Sequence, residues 1–393
     1  MSFAEILEKS DIAGLRRQLE QIKSARVEAA LARPRATFSD FLALISPAAR
    51  ASLEPMARLA HQITLRRFGR VILFYAPLYL SNECTNACLY CGFNVGRSLP
   101  RITLSLDEIL AEANCLRGWG FRHLLLVCGE APKVVPVAWL EEILRALKGD
   151  FASLSLEVYP LSAPAYAQVA QAGADGLTLY QETYHREVYS RVHSGGRKRD
   201  FDWRLGAAER AGEAGFRRLG IGSLLGLNDW RYEAIALALH AEHLMKRFWK
   251  THVTISVPRL RNTPENFSPP APVSDADLVQ LLLALRLYLH DAGMVLSTRE
   301  PAGLRDRLIP LGVTQMSAGS RTEPGGYLRP VEEGAQFFVE DRRSPAEVAQ
   351  AIRQAGYEPV WKDWDREMRA GIHSEVEGFR DAGYHQREAQ RGA

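Results

Sequence analysis

Val71-Ile72-Leu73-Phe74-Tyr75-Ala76-Pro77-Leu78 runs straight into Tyr79-Leu80-Ser81-Asn82-Glu83-Cys84-Thr85-Asn86-Ala87-Cys88-Leu89-Tyr90-Cys91. The first eight residues are an apolar, β-prone run that reads as a buried strand. The last eight carry three cysteines in a C-x3-C-x2-C spacing. Seven more short apolar or β-branched runs follow, at 123–127, 154–158, 176–180, 218–222, 253–257, 294–297 and 313–316. Amphipathic helical stretches lie between them, at 106–117, 138–147, 163–172, 203–214, 230–246 and 275–290. Strands alternating with helices through short glycine-containing turns predict an α/β fold, with a closed parallel (β/α)8 barrel of the TIM type over residues 71–320. An open doubly wound sheet is the alternative. The absence of a G-x-G-x-x-G phosphate fingerprint after the first strand weakens it.

Residues 1–70 read as a helical extension, broken at Pro34 and at Ser46-Pro47, with no catalytic signal. Residues 321–393 read as a loop-rich stretch, a terminal helix, a short strand ending at Trp361 and a polar tail that frays. The chain has 393 residues, 47% of them hydrophobic and 24% charged, and a net charge of +3. Those values exclude a disordered or coiled-coil protein and give no support to nucleic-acid or membrane-surface binding. No apolar run is long enough to span a bilayer, and the charged N-terminus lacks a signal-peptide core, so a cytoplasmic location is expected. Five cysteines, three of them within eight residues, point to metal rather than to a disulfide framework.

Three thiolates on one tight loop suit three irons of a 4Fe–4S cluster and leave the fourth iron open. Three buried free cysteines, or a zinc knuckle completed by a distant histidine, are the alternatives. Cys115 sits on an amphipathic helix and reads as core. Cys128 ends the second strand and reads as a pocket neighbour rather than a ligand.

In a parallel barrel the C-terminal strand ends share one mouth, so polar residues there are candidates for chemistry. The first strand supplies Tyr79 and the cysteine loop, the second Glu130, the third Glu157 and Tyr159, and the fourth Gln181, Glu182 and Thr183. The sixth supplies Ser256 and Arg259, the seventh Ser297 and Arg299, the eighth Ser317. Arg299 can fork onto a carboxylate, and Arg204 could hold a second one. The competing expectation for Arg299 is an ion pair with Glu300 or Asp306.

The cysteine loop, with Tyr90 before and Gly92 after the third cysteine, resembles the motif of the radical S-adenosylmethionine (SAM) superfamily. Further stretches resemble its aromatic amino acid lyase branch, and within that the tyrosine lyases of thiamine biosynthesis. They are residues 77–82, 124–130, Tyr180-Gln181-Glu182-Thr183-Tyr184-His185, 256–261, 296–300, 324–327 and Pro359-Val360-Trp361-Lys362-Asp363-Trp364-Asp365. The resemblance spans about residues 35 to 370, and the tail beyond runs past where such enzymes end.

It implies a radical SAM carbon–carbon lyase with a 4Fe–4S cluster held by Cys84, Cys88 and Cys91. It implies that L-tyrosine is cleaved at Cα–Cβ to 2-iminoacetate (dehydroglycine) and p-cresol, with 5′-deoxyadenosine and methionine; L-tryptophan is the alternative substrate. Arg299 becomes the carboxylate clamp, Ser317 and Tyr79 the neighbours of the amine, and Ser297 and Ser256 further substrate contacts. Tyr90, Glu130, Glu157, Gln181, Glu182 and Arg204 become SAM contacts. A flavodoxin- or ferredoxin-type reductant and a thiazole synthase are the implied partners. Relatives with a second cluster are disfavoured, because no cysteine follows Cys128.

Overall fold

The computed structural model describes residues 1–261, 267–329 and 334–362. Its centre is β1 (Val71–Ser81), with nine of its eleven residues buried. A strand buried on both faces reads as one continuous apolar run, which is what the sequence shows here. Around it stand β2 (His123–Cys128), β3 (Ser153–Glu157), β4 (Gly176–Thr178), β5 (Arg218–Gly222), β6 (His252–Ser256), β7 (Gly293–Leu296) and β8 (Gln315–Ser317). Each pairs in parallel with the next, β8 pairs with β1, and the β1–β2 ladder closes an eight-stranded barrel. The expected barrel is therefore the observed one.

A ninth strand, β9 (Glu358–Val360), also pairs with β1 in parallel. Leu73 faces Gln315 of β8 on one edge and Val360 of β9 on the other, while Ala76, further along, faces Leu124 of β2. So β9 occupies the edge of β1 that β2 leaves uncovered at the bottom of the barrel. Trp361 follows it and packs edge-on against Phe74 and Phe121.

The N-terminal helices are α1 (Phe3–Lys9), α2 (Ile12–Gln18), α3 (Ser24–Leu31), α4 (Phe38–Leu44) and α5 (Leu53–Phe68). The barrel helices are α6 (Leu106–Gly118), α7 (Val137–Leu147), α8 (Ala163–Ala172), α9 (Arg186–Val192), α10 (Phe201–Leu205), α11 (Ala207–Glu213), α12 (Trp230–Arg247), α13 (Asp275–Tyr288) and α14 (Ala302–Leu308); α15 (Pro345–Gln354) precedes β9. Four of these begin at reciprocal capping boxes, Thr37/Asp40, Ser105/Glu108, Ser274/Asp277 and Ser344/Glu347. Each box satisfies two backbone donors that helix geometry leaves orphaned, so it fixes where the helix starts.

The single helix expected over 203–214 is two helices that meet at Gly206. Arg210 lies over the Trp203 ring and donates to the Trp203 carbonyl, which takes that carbonyl out of the helical ladder. The N-terminal helices close the barrel's flank. Phe3 stacks on His240 of α12 with ring centroids 4.1 Å apart, and its N–H donates to Glu209 of α11. No described helix is long and apolar enough to cross a membrane. Asp363, Trp364, Asp365 and the tail from 366 onward lie outside the described residues.

Candidate active site

The C-terminal strand ends enclose a cavity of about 90 Å³. β1 contributes Tyr75 and Tyr79, β3 contributes Glu157, and the turn after β4 contributes Tyr180 and Glu182. Ser256 from β6, Ser297 and Arg299 from the turn after β7, and Ser317 from β8 complete the ring. Tyr90 and Cys91 form one side and Lys198 another. Two hydroxyl pairs organise the floor: Tyr75 with Ser317, and Tyr180 with Ser256.

The cysteine loop is held by backbone bonds to the segment after α9. Ala87 N–H donates to Gly195, Leu89 N–H to Val192, and Ser194 N–H returns to Ala87. The Tyr90 hydroxyl meets His193 Nε2 at 2.7 Å, and the other ring nitrogen of His193 meets the Tyr189 carbonyl. Val188, Val192, Leu224, Leu227 and Leu260 pack around Cys88 and Tyr90. Tyr79, Phe93 and Val127 pack against Cys84 and Cys91 on the other side. The Phe93 N–H points at Cys91 Sγ from 3.4 Å.

This donor set fits an iron–sulfur cluster. Burial pushes the Cys88 thiol up to about 12 and the Cys91 thiol up to about 11, so both are protonated unless a cation takes the proton's place. Lys198 opposes burial at both thiols and already supplies one positive charge. A backbone N–H on a ligand sulfur is one of the features that sets a cluster's potential. Among the described residues no three His, Cys, Asp or Glu side chains converge on one ion position, which is the arrangement mononuclear zinc needs. A cubane takes one thiolate per iron and does not require it.

Opposite the thiols lies a charge relay of different sign. Lys198 Nζ is 2.7 Å from Glu182 Oε1, and Arg204 Nη2 is 3.5 Å from the same oxygen. Burial would raise the Glu182 carboxyl, but Lys198 and Arg204 override it and hold the group at about 2. Glu182 therefore remains an anion beside the cavity at every ordinary pH. Its backbone is unusual: φ is +70°, the one positive value outside glycine among the described residues. Such a conformation costs roughly 1–3 kcal/mol. It is held by the Leu224 N–H bond to the Glu182 carbonyl and by the Lys198 pair. Glu157 is pushed the other way, up to about 7, by burial and then by the Glu182 charge.

Arg299 has no ion pair among the described residues. Glu300 is taken by Arg259 and Arg261, and Asp306 by Arg343, so the expected competitors are occupied elsewhere. The Arg299 guanidinium lies 3.5 Å over the Phe337 ring instead. Phe337 belongs to a strap, residues 334–341, that crosses the barrel mouth. Gln336 accepts from Gly92 N–H through its carbonyl and from the Tyr79 hydroxyl, at 2.7 Å, through its side chain. Its own N–H donates to Thr322.

Some expected residues stand back from the cavity. Glu130 accepts from Asn86 and braces the cysteine loop through its carbonyl. Gln181 donates to the Phe201 carbonyl, and Arg204 to the Tyr180 carbonyl, behind Glu182. Tyr159 bonds the Val135 carbonyl, Thr183 bonds the buried Glu233, and Arg259 pairs with Glu300. Cys128 is in the main core and Cys115 packs against it.

Other cavity residues escaped sequence reading. Lys198 sits in Gly195-Gly196-Arg197-Lys198-Arg199, which reads as a solvated basic run. Gly196, at φ +82°, turns it inward; a Cβ there would meet Asn86 Oδ1 at 2.2 Å. Gln336 and Phe337 carried no readable signal beyond following a glycine-rich loop.

Comparison with known proteins places this geometry in a family. The radical SAM superfamily profile matches residues 78–239, and the biotin and thiamin synthesis associated domain matches 256–358. The chain is 41% identical over 365 residues to 2-iminoacetate synthase of Escherichia coli (strain K12), covering 93% of this chain and 97% of that protein. It is 42% identical to 2-iminoacetate synthase of Salmonella typhimurium over 87% of this chain and 91% of that one. Among solved structures, the FeFe-hydrogenase maturase HydG from Carboxydothermus hydrogenoformans superposes with a TM-score of 0.78 at 35% identity, over 92% of this chain and 83% of that chain. Methylornithine synthase shares the fold, with a TM-score of 0.68 at 21% identity over 85% of this chain and 97% of that chain. Radical SAM enzymes work with a 4Fe–4S cluster and SAM. The chain belongs to the 2-iminoacetate synthase family of radical SAM enzymes.

Proposed function

We propose that this chain is a tyrosine lyase, cleaving the Cα–Cβ bond of L-tyrosine to 2-iminoacetate and p-cresol. The observation that carries this reading is Arg299: a guanidinium at the cavity wall, stacked on Phe337, with no carboxylate paired to it among the described residues. Its fork suits an amino-acid carboxylate.

Cys84, Cys88 and Cys91 would hold the cluster. Cluster and SAM together would supply hydrogen-atom abstraction. The protein's own groups do the rest. Arg299 holds the substrate carboxylate; Ser317 and Tyr79 fix the amine, and Ser256 and Ser297 flank it. Glu182 is a permanent anion suited to a cationic amino group of SAM, with Tyr90, Glu157 and Lys198 beside it. Arg204, Gln181 and Glu130 act through these neighbours, because their side chains bond outside the cavity. Holding the reacting atoms in one geometry makes abstraction effectively unimolecular, and the strap over the mouth limits water access to the intermediates.

A flavodoxin- or ferredoxin-type protein would supply the electron, and a thiazole synthase would take the imine. The test is anaerobic turnover of the reconstituted enzyme with SAM and reductant, comparing L-tyrosine with L-tryptophan. p-Cresol formed only from L-tyrosine supports the reading. SAM cleavage driven by tryptophan, with an indolic product, would replace the substrate.

A further inference from the structure

A second, larger cavity of about 770 Å³ adjoins the first. Trp119, Phe337, Phe338, Val339 and Pro345 form an apolar part of its wall, and Arg321, Glu323, Arg342, Arg343 and Glu347 line it too. Ser320, Thr322 and Phe337 line both cavities. The two are therefore neighbours across a partition one residue thick, and Phe337 is its only aromatic member.

Phe337 is held from three directions. Its carbonyl accepts from Thr322 Oγ1 at 2.9 Å, its neighbour Gln336 is tied to Gly92 and Tyr79, and its ring carries the Arg299 guanidinium. On the outer side, Trp119 and Phe338 are left 41% and 48% exposed. Large aromatic side chains left open around a concave apolar surface are the usual lining of a small-molecule site.

The two fragments of Cα–Cβ cleavage differ in polarity. The iminoacetate carries the carboxylate that Arg299 retains. The phenol fragment is neutral and aromatic. We propose that the outer cavity is a binding site for the phenol product, with Phe337 as the partition that separates it from the carboxylate-holding chamber. This rests on the tyrosine lyase reading above. A flat neutral ring can lie against the aromatic walls that Trp119 and Phe338 supply. The division leaves the polar imine behind the strap after the phenol has gone.

The experiment uses anaerobic holoenzyme with SAM and saturating L-tyrosine but no reductant, so that no turnover occurs, and titrates p-cresol by calorimetry. The expected result is saturable binding in the presence of L-tyrosine, since the inner cavity is then full. Phe338→Ser and Val339→Trp each raise the p-cresol Kd at least tenfold and leave the L-tyrosine Kd unchanged. Phe337→Ala opens the partition, so p-cresol and L-tyrosine begin to compete. Binding that L-tyrosine abolishes in the unmodified enzyme, or no saturable binding, overturns the proposal. Adding reductant separates the two failures: p-cresol made from L-tyrosine without an outer binding site sinks this inference alone, while no p-cresol at all sinks the lyase reading beneath it.

Discussion

Gly92→Ala tests whether the strap over the barrel mouth sets the reaction geometry. A Cβ at Gly92 would sit 2.1 Å from the Ala335 carbonyl oxygen and 2.8 Å from that of Gln336. Real Cβ atoms essentially never come within 3.0 Å of such a neighbour, so loop and strap must part by about 1 Å. Both contacts are backbone, and no rotamer can absorb the clash. The displacement stretches the 2.9 Å bond from Gly92 N–H to Gln336 and pulls Gln336 Oε1 away from the Tyr79 hydroxyl. Two hydrogen bonds at about 1 kcal/mol each give a stability loss of about 2 kcal/mol. A misplacement of about 1 Å at reacting groups costs on the order of 100-fold in rate. The assay is anaerobic turnover with iron content, p-cresol and 5′-deoxyadenosine measured on the same sample. We expect unchanged iron, p-cresol formation down about 100-fold, and a smaller fall in 5′-deoxyadenosine, because SAM cleavage does not need the strap. Wild-type p-cresol rates would refute the reasoning. Loss of iron would also refute it, since the clash would then be relieved by the cysteine loop and not by the strap.

Arg299→Lys keeps the charge but loses the fork and the stacking on Phe337; kcat/KM for L-tyrosine should fall by roughly 10- to 100-fold, about 1.5–3 kcal/mol, mainly through KM, and an unchanged KM in steady-state kinetics would remove Arg299 from the substrate. Cys84→Ser, Cys88→Ser and Cys91→Ser should each abolish the reconstituted cluster's absorption and iron content, while Cys115→Ser retains both; equal iron in all four variants would dissolve the assignment. Glu233, outside the cavity, accepts from Thr183, the Tyr184 N–H and Asn228, yet burial raises it to about 7 from the ordinary 4.5. The folded state then holds this proton more tightly than the unfolded chain. Its contribution is complete below about pH 4.5 and disappears as pH rises through about 7. Glu233→Gln lacks that titration, so the stability of the wild type relative to this variant in urea should fall between pH 5.5 and 8; a relative stability that is constant or rises with pH contradicts the shift.

Most of the barrel was legible because each strand is a short apolar run and each helix an amphipathic one, and both periods survive in single residues. All eight strands formed where the runs predicted, with ends moved by one to three residues, as at Ser81, Thr178 and Leu296. The broken helix at Gly206 was not legible, because it depends on Arg210 reaching the Trp203 carbonyl. At the site, residues directly following strands were readable, and Tyr79, Glu157, Glu182, Ser256, Ser297, Arg299 and Ser317 do line one cavity. Lys198, Gln336 and Phe337 were not, because long-range contacts bring them there: Lys198 N–H to Asn86, and Gln336 to Gly92 and Tyr79. Nor could spacing separate Glu182, which faces the cavity, from Gln181, which bonds the Phe201 carbonyl. The positive φ at Glu182 decides that difference, and it is a tertiary effect.

The central claim is that one bond of L-tyrosine is broken at this barrel mouth. The most direct measurement is product stoichiometry in a single anaerobic turnover with uniformly 13C-labelled L-tyrosine, trapping 2-iminoacetate after hydrolysis as the glyoxylate hydrazone. The account predicts labelled p-cresol, labelled glyoxylate and 5′-deoxyadenosine in equal amounts. A cluster-loaded enzyme that forms 5′-deoxyadenosine while all the L-tyrosine is recovered intact would contradict it.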